Sequence, residues 1–372
     1  MDLNLITNFD ILFYAFLFLS VFYYVVLLVV YIGLSRLKIH SESITPSVSV
    51  IIAACNEEQR ITECMESLEK LDYPQNKFEI ILVDDNSNDN TPQIMSKFCK
   101  NKSNWQILHL NEKSKVLRGK KNALFNGIKQ AKNDIIFTTD ADCIVPTGWL
   151  RNMVKYFKPD VSMVLGYSPL ISGKGFSHQI LKFDTLFSII AAAATTKLGY
   201  AYTSVGRNMA YTKEAYEKVG GFMALKKYKS GDDQHLTERF RKMKAGKIDF
   251  CIHPDTFVKT HSHENAMDLF HQQVRKKSKI LLLSPVSVIF SLLLFVYHIL
   301  IIILPVIYLN VLGYWLMFLV LKLLIENICL FKATKIFRMS EIRSVIPVMQ
   351  IIYPAFIIFF SIIGAFQIYK WK

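Results

Sequence analysis

The sequence predicts an α/β domain built on a parallel sheet and fastened to a membrane by about four helices. Three observations carry that reading. Apolar, β-branched runs alternate with helical patterns between residues 47 and 138. Paired acids stand where those runs end. Long stretches without Asp, Glu, Lys or Arg lie near both ends of the chain.

Residues 47–54 (SVSVIIAA) are nearly continuous β-branched apolar sequence, the pattern of a strand buried on both faces. Asn56-Glu57-Glu58 opens a helix to about residue 70, with Ile61, Met65 and Leu68 at helical spacing. Residues 78–83 (FEIILV) form a second buried strand that ends at Asp84-Asp85. Thr91-Pro92 starts the next helix, where proline is tolerated in the first turn. A third strand over 105–110, a helix over 121–131 and a fourth strand over 134–138 (DIIFT) follow. Strands alternating with helices imply a parallel sheet covered on both faces. Ligands of such sheets bind beyond the carboxyl ends of the strands. The fourth strand runs into Asp140-Ala141-Asp142. On extended backbone those two carboxylates share a face, and together they can hold a hard divalent cation that neutralises a diphosphate.

Phe176, Ile180, Phe183, Phe187 and Ile190 recur at helical spacing. That helix either packs on the core or lies at a membrane interface. Residues 267–280 set Leu269, Phe270, Val274 and Ile280 against a basic face, the pattern of an interfacial helix. His261 and His263 flank Ser262, and such a pair is either a metal-ligand candidate or a chance spacing.

Residues 11–34, 281–321 and 344–369 carry no Asp, Glu, Lys or Arg. A hydrocarbon core of about 30 Å takes roughly 20 apolar residues per helix. The runs therefore read as one span, a hairpin of two turning near Leu304-Pro305, and one more. The first reads as an uncleaved anchor, since its leader carries Asp2 and Asp10 without a basic residue and no small-x-small site follows. Arg36 and Lys38, Arg275 to Lys279, and Lys332 to Arg343 all fall on one side of such a topology, which should be cytosolic. Lys370 and Lys372 run against the rule. The net charge of +14 suits an anionic membrane surface. Nucleic acid is excluded as a partner, because the charge clusters at membrane borders and no nucleic-acid motif accompanies it. The six cysteines show no CxxC spacing, so neither a zinc site nor a disulfide framework is expected.

The motifs follow a fixed order. They are Ala53-Ala54-Cys55-Asn56-Glu57, Val83-Asp84-Asp85-Asn86-Ser87, Gly119-Lys120-Lys121-Asn122-Ala123, and Thr139-Asp140-Ala141-Asp142. Gly206-Arg207-Asn208-Met209-Ala210, Gly231-Asp232-Asp233-Gln234-His235-Leu236 with Arg239, and Gln272-Gln273-Val274-Arg275 come after them. In this order they resemble the membrane-anchored, inverting family 2 glycosyltransferases, over residues 47–279. The resemblance implies a GT-A fold, with an anchor over 1–36, a cytosolic transferase domain over 45–280 and a membrane region of about three helices over 281–372. It implies that Ala54, Asn56, Glu57, Asp84, Asp85, Lys120 and Asp140 bind the nucleotide, Asp85 more strongly than Asp84. It implies that Asp140 and Asp142 bind Mg²⁺ or Mn²⁺. Asp233, beside Asp232, would be the general base that deprotonates an acceptor hydroxyl. Gly206, Asn208, Gln272 and Arg275 would meet the acceptor or the diphosphate.

Ala53, Cys55, Asp232 and Lys276 depart from the family's commoner Pro, Tyr, Glu and Trp. The missing Trp weakens the reading as a processive polysaccharide synthase. The implied function is transfer of a sugar from a nucleotide-sugar donor to a lipid-linked or glycolipid acceptor, in an integral membrane protein expected in the plasma membrane and active in building cell-envelope glycans. Three rivals stay open: the processive synthase, a non-catalytic membrane scaffold with a transferase-like domain, and a sugar nucleotidyltransferase, whose activating Gly-rich loop is not found.

Overall fold

The computed structural model describes residues 3–366, except 43, 111–113, 115, 172, 174, 229–230, 263–264 and 279–283. These residues form two compact units. One comprises residues up to Ser35 with Gly173–Ile190 and Ser262 onward; the other comprises Arg36–Ser172 and Ala191–His261.

In chain order, α1 (Leu3–Ser35) precedes β1 (Val48–Ala54), α2 (Ile61–Glu69), β2 (Phe78–Asp84), α3 (Thr91–Cys99) and β3 (Trp105–His109). Then come α4 (Lys120–Gln130), β4 (Ile135–Asp140), β5 (Cys143–Ile144), α5 (Trp149–Met153), β6 (Val161–Leu165) and α6 (Phe176–Lys197). β7 (Met209–Thr212), α7 (Lys213–Lys218), α8 (Asp232–Lys242), β8 (Lys247–Phe250) and β9 (Lys259–Thr260) follow. α9 (Ala266–Ser278), α10 (Pro285–Ile307), α11 (Leu312–Ile336) and α12 (Ile346–Ala365) complete the order.

The second unit is a seven-stranded sheet in the order β3-β2-β1-β4-β7-β6-β8. The first four of these strands are parallel, as the alternating pattern predicts. β7 reverses, antiparallel to both β4 and β6, and β8 runs parallel to β6. The sheet is therefore mixed, parallel over the four strands read from the sequence and reversed at β7. β1 sits centrally, and its β-branched residues Val48, Val50, Ile51 and Ile52 are fully buried. α4 lies close over it because residue 127 is glycine. A Cβ there would stand 2.5 Å from Ile51 Cγ2 and 3.0 Å from Val83 Cγ2. α2 starts at Ile61, later than its pattern suggests. Asn56 adopts φ 56°, and its Oδ1 accepts from the Asn88 N–H at 2.8 Å, so the chain turns before it coils.

The first unit is helical. Among the described residues, three of its helices are long and apolar enough to cross a membrane: Ile11–Ser35, Pro285–Ile307 and Ser340–Ala365. The fourth long helix, α11, carries Lys322 and Glu326, which pair with each other at 2.7 Å in the interior. Gln350 Nε2 donates to the other Glu326 oxygen at 2.8 Å, so the buried acid is satisfied on both sides. The expected hairpin turn falls at Tyr308–Val311 and not at Leu304-Pro305. Pro305 lacks the N–H that Ile301 O would accept, but Trp315 Nε1 donates to that carbonyl at 2.9 Å. The helix thus survives its proline and turns later.

In the same unit Phe183 and Phe187 of α6 pack on the Tyr353 ring, at 5.1 and 4.8 Å between centroids. α9 lies against α12 through Phe270 and Phe360. Gly364 lets the two helices touch, since a Cβ there would stand 3.0 Å from Ser278 N.

Candidate functional site

The carboxyl ends of β1, β2 and β4 open into a cavity of about 220 Å³. Ala54, Glu57, Asp85, Lys120, Asp140 and Asp142 line it. Each arrives by a different route. Ala54 closes β1, and the Asp85 N–H donates to Ala54 O at 2.9 Å, which fixes one turn to the next. Glu57 follows the left-handed Asn56, and its N–H donates to Thr91 Oγ1 at 2.8 Å. Gly119, at φ +54°, turns the chain into α4; a Cβ there would stand 3.9 Å from Asp85 Oδ2. Lys120 then pairs with Asp140. Burial works against the Lys120 charge, but Asp140, and after it Asp233 and Asp232, raise its pKa.

β4 ends at Asp140, and Ala141-Asp142 is a turn. The two carboxylates meet through that turn and not by strand alternation. Their oxygens and the Cys143 sulfur all lie within 4.8 Å of one another. Arg60 approaches Asp142 at 3.9 Å. Burial, then Asp140 and Asp142, push the Cys143 thiol up, so it stays protonated. Two convergent carboxylates beside a protonated thiol fit a hard, oxygen-preferring divalent cation and not zinc.

The second acid pair opens α8. Gly231, at φ +83°, precedes Asp232 and Asp233. The Gly206 N–H donates to Asp233 Oδ2 at 2.9 Å. Burial pushes the Asp232 carboxyl up; Lys121 opposes this and Asp233 adds to it. Lys121 is itself buried. Its Nζ lies 3.4 Å from Asp232 Oδ1 and donates to the Leu225 and Tyr228 carbonyls. Neighbouring lysines at the start of α4 therefore serve different acids, Lys120 the Asp140 carboxylate and Lys121 Asp232.

Comparison with known proteins decides the family. Residues 49–220 match the model of Glycosyl transferase family 2. These residues are a family 2 glycosyltransferase domain. Similar proteins include the beta-monoglucosyldiacylglycerol synthase of a Synechocystis strain, 27% identical over 232 residues, covering 62% of this chain and 47% of that protein. Another is the poly-beta-1,6-N-acetyl-D-glucosamine synthase of Staphylococcus epidermidis, 33% identical over 178 residues, covering 46% of this chain and 41% of that one. The chain thus spans less than half the length of either relative. Among solved structures, mannosyltransferase PcManGT from Pyrobaculum calidifontis, in complex with GDP-Man and Mn²⁺, superposes with a TM-score of 0.58 at 18% identity, over 97% of this chain and 95% of that one. That likeness establishes the GT-A-like fold.

The expected site residues divide. Ala54, Glu57, Asp85, Lys120, Asp140 and Asp142 meet at one cavity. Asp84 and Asn56 serve the turns beside it: the Ser87 N–H donates to Asp84 Oδ1 at 3.1 Å, and His109 stands 3.3 Å from Asp84 Oδ2. Asn208 is fully buried and spends its amide internally, accepting from Trp149 Nε1 at 3.0 Å and donating to the Tyr167 and Thr256 carbonyls. Gln272 and Arg275 lie on α9, in the helical unit. Lys276, which stands at the Trp position, pairs with Asp184. His261 Nε2 stands 2.7 Å from Glu63 Oε2, and the one acid cluster of metal-binding spacing among the described residues contains no histidine. His263 lies outside the described residues. Arg60 and Cys143 lie outside the motifs, and Lys121 lies inside one that assigns it no role. Cys143 had a signal, its place immediately after Asp142; Lys121 had none, because one lysine in a basic pair looks like the other.

Proposed function

We propose that this chain transfers one sugar from a nucleotide-diphosphate sugar to a lipid or glycolipid acceptor, with inversion, at a membrane that its long apolar helices cross. The observation that carries the proposal is the meeting of Asp85, Lys120, Asp140 and Asp142 at one cavity beyond the strand ends. Asp85 suits a ring N–H of the base, and Lys120 suits a phosphate. Asp140 and Asp142 would hold a Mg²⁺ or Mn²⁺ ion, which would neutralise the departing diphosphate. Asp233, with one oxygen held by the Gly206 N–H, takes the proton from the acceptor hydroxyl. A single base with attack opposite the leaving group inverts the anomeric centre. The Pyrobaculum transferase, solved with GDP-Man and Mn²⁺, and the Synechocystis relative, named for a glucosyldiacylglycerol product, both support this reading. We place the catalytic domain on the cytosolic side, because the basic clusters adjoin the ends of the apolar helices on one side.

The test is nucleoside diphosphate release by the full chain in native lipid extract, over a panel of donors, with and without divalent metal. Release from one donor that needs metal, and that falls about 10²- to 10⁴-fold in Asp233→Asn, is expected. Release that ignores that substitution would sink the assignment. The staphylococcal relative favours a second reading, a polymerising synthase. Product length separates the two, since long polymer from one acceptor would replace single transfer.

A further inference from the structure

The sheet unit holds a second and larger cavity, of about 650 Å³. It lies between the ends of α6 and α8 and the starts of β6 and β8, where Val161 and Lys247 line it. β6 and β4 both run antiparallel to β7, so they share a direction. The starts of β6 and β8 are therefore at the opposite end of the sheet from Asp140. This cavity is not part of the donor site.

Its chemistry is basic. Lys197, Arg241, Lys244 and Lys247 line it against only two carboxylates, Asp160 and Asp249. Both acids are already matched. Lys197 pairs with Asp249 at 2.7 Å, and Lys247 with Asp160 at 2.5 Å. Two positive charges, Arg241 and Lys244, remain in excess. The Arg241 guanidinium is held 3.9 Å from the Tyr200 ring centroid, and its buried Nε finds no acceptor among the described residues. A solvated surface arginine would not leave a buried donor unmet. Helix C-termini attract cations, which accounts for Lys197 at the end of α6 and for the placement of Arg241 and Lys244 at the end of α8. It does not account for Lys247 at the start of a strand or for the unmet Nε. Gly199 and Gly246 both line the cavity at positive φ, and Gly246 packs too closely on Ser162 for a side chain, since a Cβ there would meet Ser162 Oγ at 2.5 Å. The volume is within the range of small-molecule sites, about 300–1,000 Å³.

We propose that this cavity is a second ligand site, for a phosphate-bearing anion, with Arg241 and Lys244 as its principal contacts. A guanidinium held over an aromatic ring can offer its outer N–H groups to a phosphate, and a nearby ammonium adds a point charge. The proposal does not depend on the assigned transferase activity.

The test uses inorganic pyrophosphate and the full chain in nanodiscs of zwitterionic lipid, with chelator present, followed by titration calorimetry. Binding at one site is expected. Arg241→Gln combined with Lys244→Gln should weaken it by about tenfold or more, and the exposed Lys244→Gln alone should weaken it in the same direction. Lys120→Met, in the donor cavity, should leave it within about twofold. Basal transferase turnover of the Lys244→Gln protein should be unchanged. Repeating the titration in nanodiscs of anionic phospholipid identifies the source of the phosphate. Competition by the lipid points to a headgroup, and undiminished binding points to a free phosphate; each is the shared chemistry proposed. Loss of binding in Lys120→Met with none in the Arg241/Lys244 variants would overturn the proposal, as would absence of binding to the wild-type chain.

Discussion

The Gly206 N–H donates to Asp233 Oδ2 at 2.9 Å, and a Cβ on Gly206 would stand only 3.1 Å from Asp233 Cβ. The glycine thus does two things for one carboxylate. It fixes one oxygen with a backbone donor, and it leaves the space that the side chain fills. The other oxygen then has a defined direction, which the proposed general base would need.

Gly206→Ala should displace Asp233 by a few tenths of an ångström without touching the donor cavity. The expected result is a fall in kcat of about 10- to 100-fold with the donor KM within about threefold. Steady-state kinetics on the variant give the answer. An unchanged kcat would mean that Asp233 needs no such alignment, or is not the base.

Lys121 ties the approach to α8 to the start of α4, through the Leu225 and Tyr228 carbonyls and Asp232. Lys121→Met removes a cation from a buried cluster and leaves Asp232 more strongly pushed up. Stability should fall by about 3 kcal/mol, since a buried charge loses its partner. The Asp232 carboxyl should hold its proton to higher pH, read from the carboxyl bands of the infrared spectrum of variant and wild type. A destabilised protein with an unmoved Asp232 titration would make Lys121 purely structural.

Lys120 pairs with Asp140, so a divalent cation bound there as proposed would compete with it. In Lys120→Met the carboxylate loses its resident ammonium. Mn²⁺ affinity of the donor-free protein should therefore rise severalfold, by an amount on the order of 1 kcal/mol. The donor KM should rise as well, because a phosphate contact is gone. Calorimetry with Mn²⁺ alone separates the two effects. A weaker metal site in the variant would show that Lys120 organises Asp140 and does not compete for it.

The strands were legible where burial on both faces writes a continuous β-branched run, as at Val48–Ala54 and Phe78–Asp84. The acids at their ends were legible for the same reason, since the strand ends mark the binding edge. Three things were hidden, each for a physical reason. Strand direction is not encoded in a four-residue element, so the reversal of β7 had no signal. The Asp140 and Asp142 pairing looked like strand alternation but is made by a turn, because β4 stops at Asp140. Asn208 looked like a pocket residue, yet its amide is spent on Trp149, Tyr167 and Thr256, and long-range partners of that kind leave no local pattern.

Asp184 tests the helical unit by itself. Its carboxylate is buried on α6, paired with Lys276 and with Lys277 at 3.3 Å, and accepts from Tyr353 Oη at 2.8 Å. Burial alone would push this carboxyl up. Lys276 and Lys277, and the hydrogen bonds from Lys276 and Tyr353, outweigh burial and hold it well below the usual range. A depressed folded value means that the unfolded chain binds the proton first. The stabilisation is therefore present above the unfolded carboxyl pKa of about 4 and is lost as pH falls through the folded value. Asp184→Asn should cost about 3 kcal/mol at pH 7, by stranding two ammonium groups beside a neutral amide. The gap between variant and wild type should begin to narrow below about pH 4, as the unfolded wild-type chain takes up the proton that the folded carboxylate does not. Thermal unfolding in detergent at pH 7 and at pH 3.5 measures the onset of that narrowing. A gap that stays constant across that range would mean that Asp184 stabilises by shape and hydrogen bonding, without a contribution from its charge.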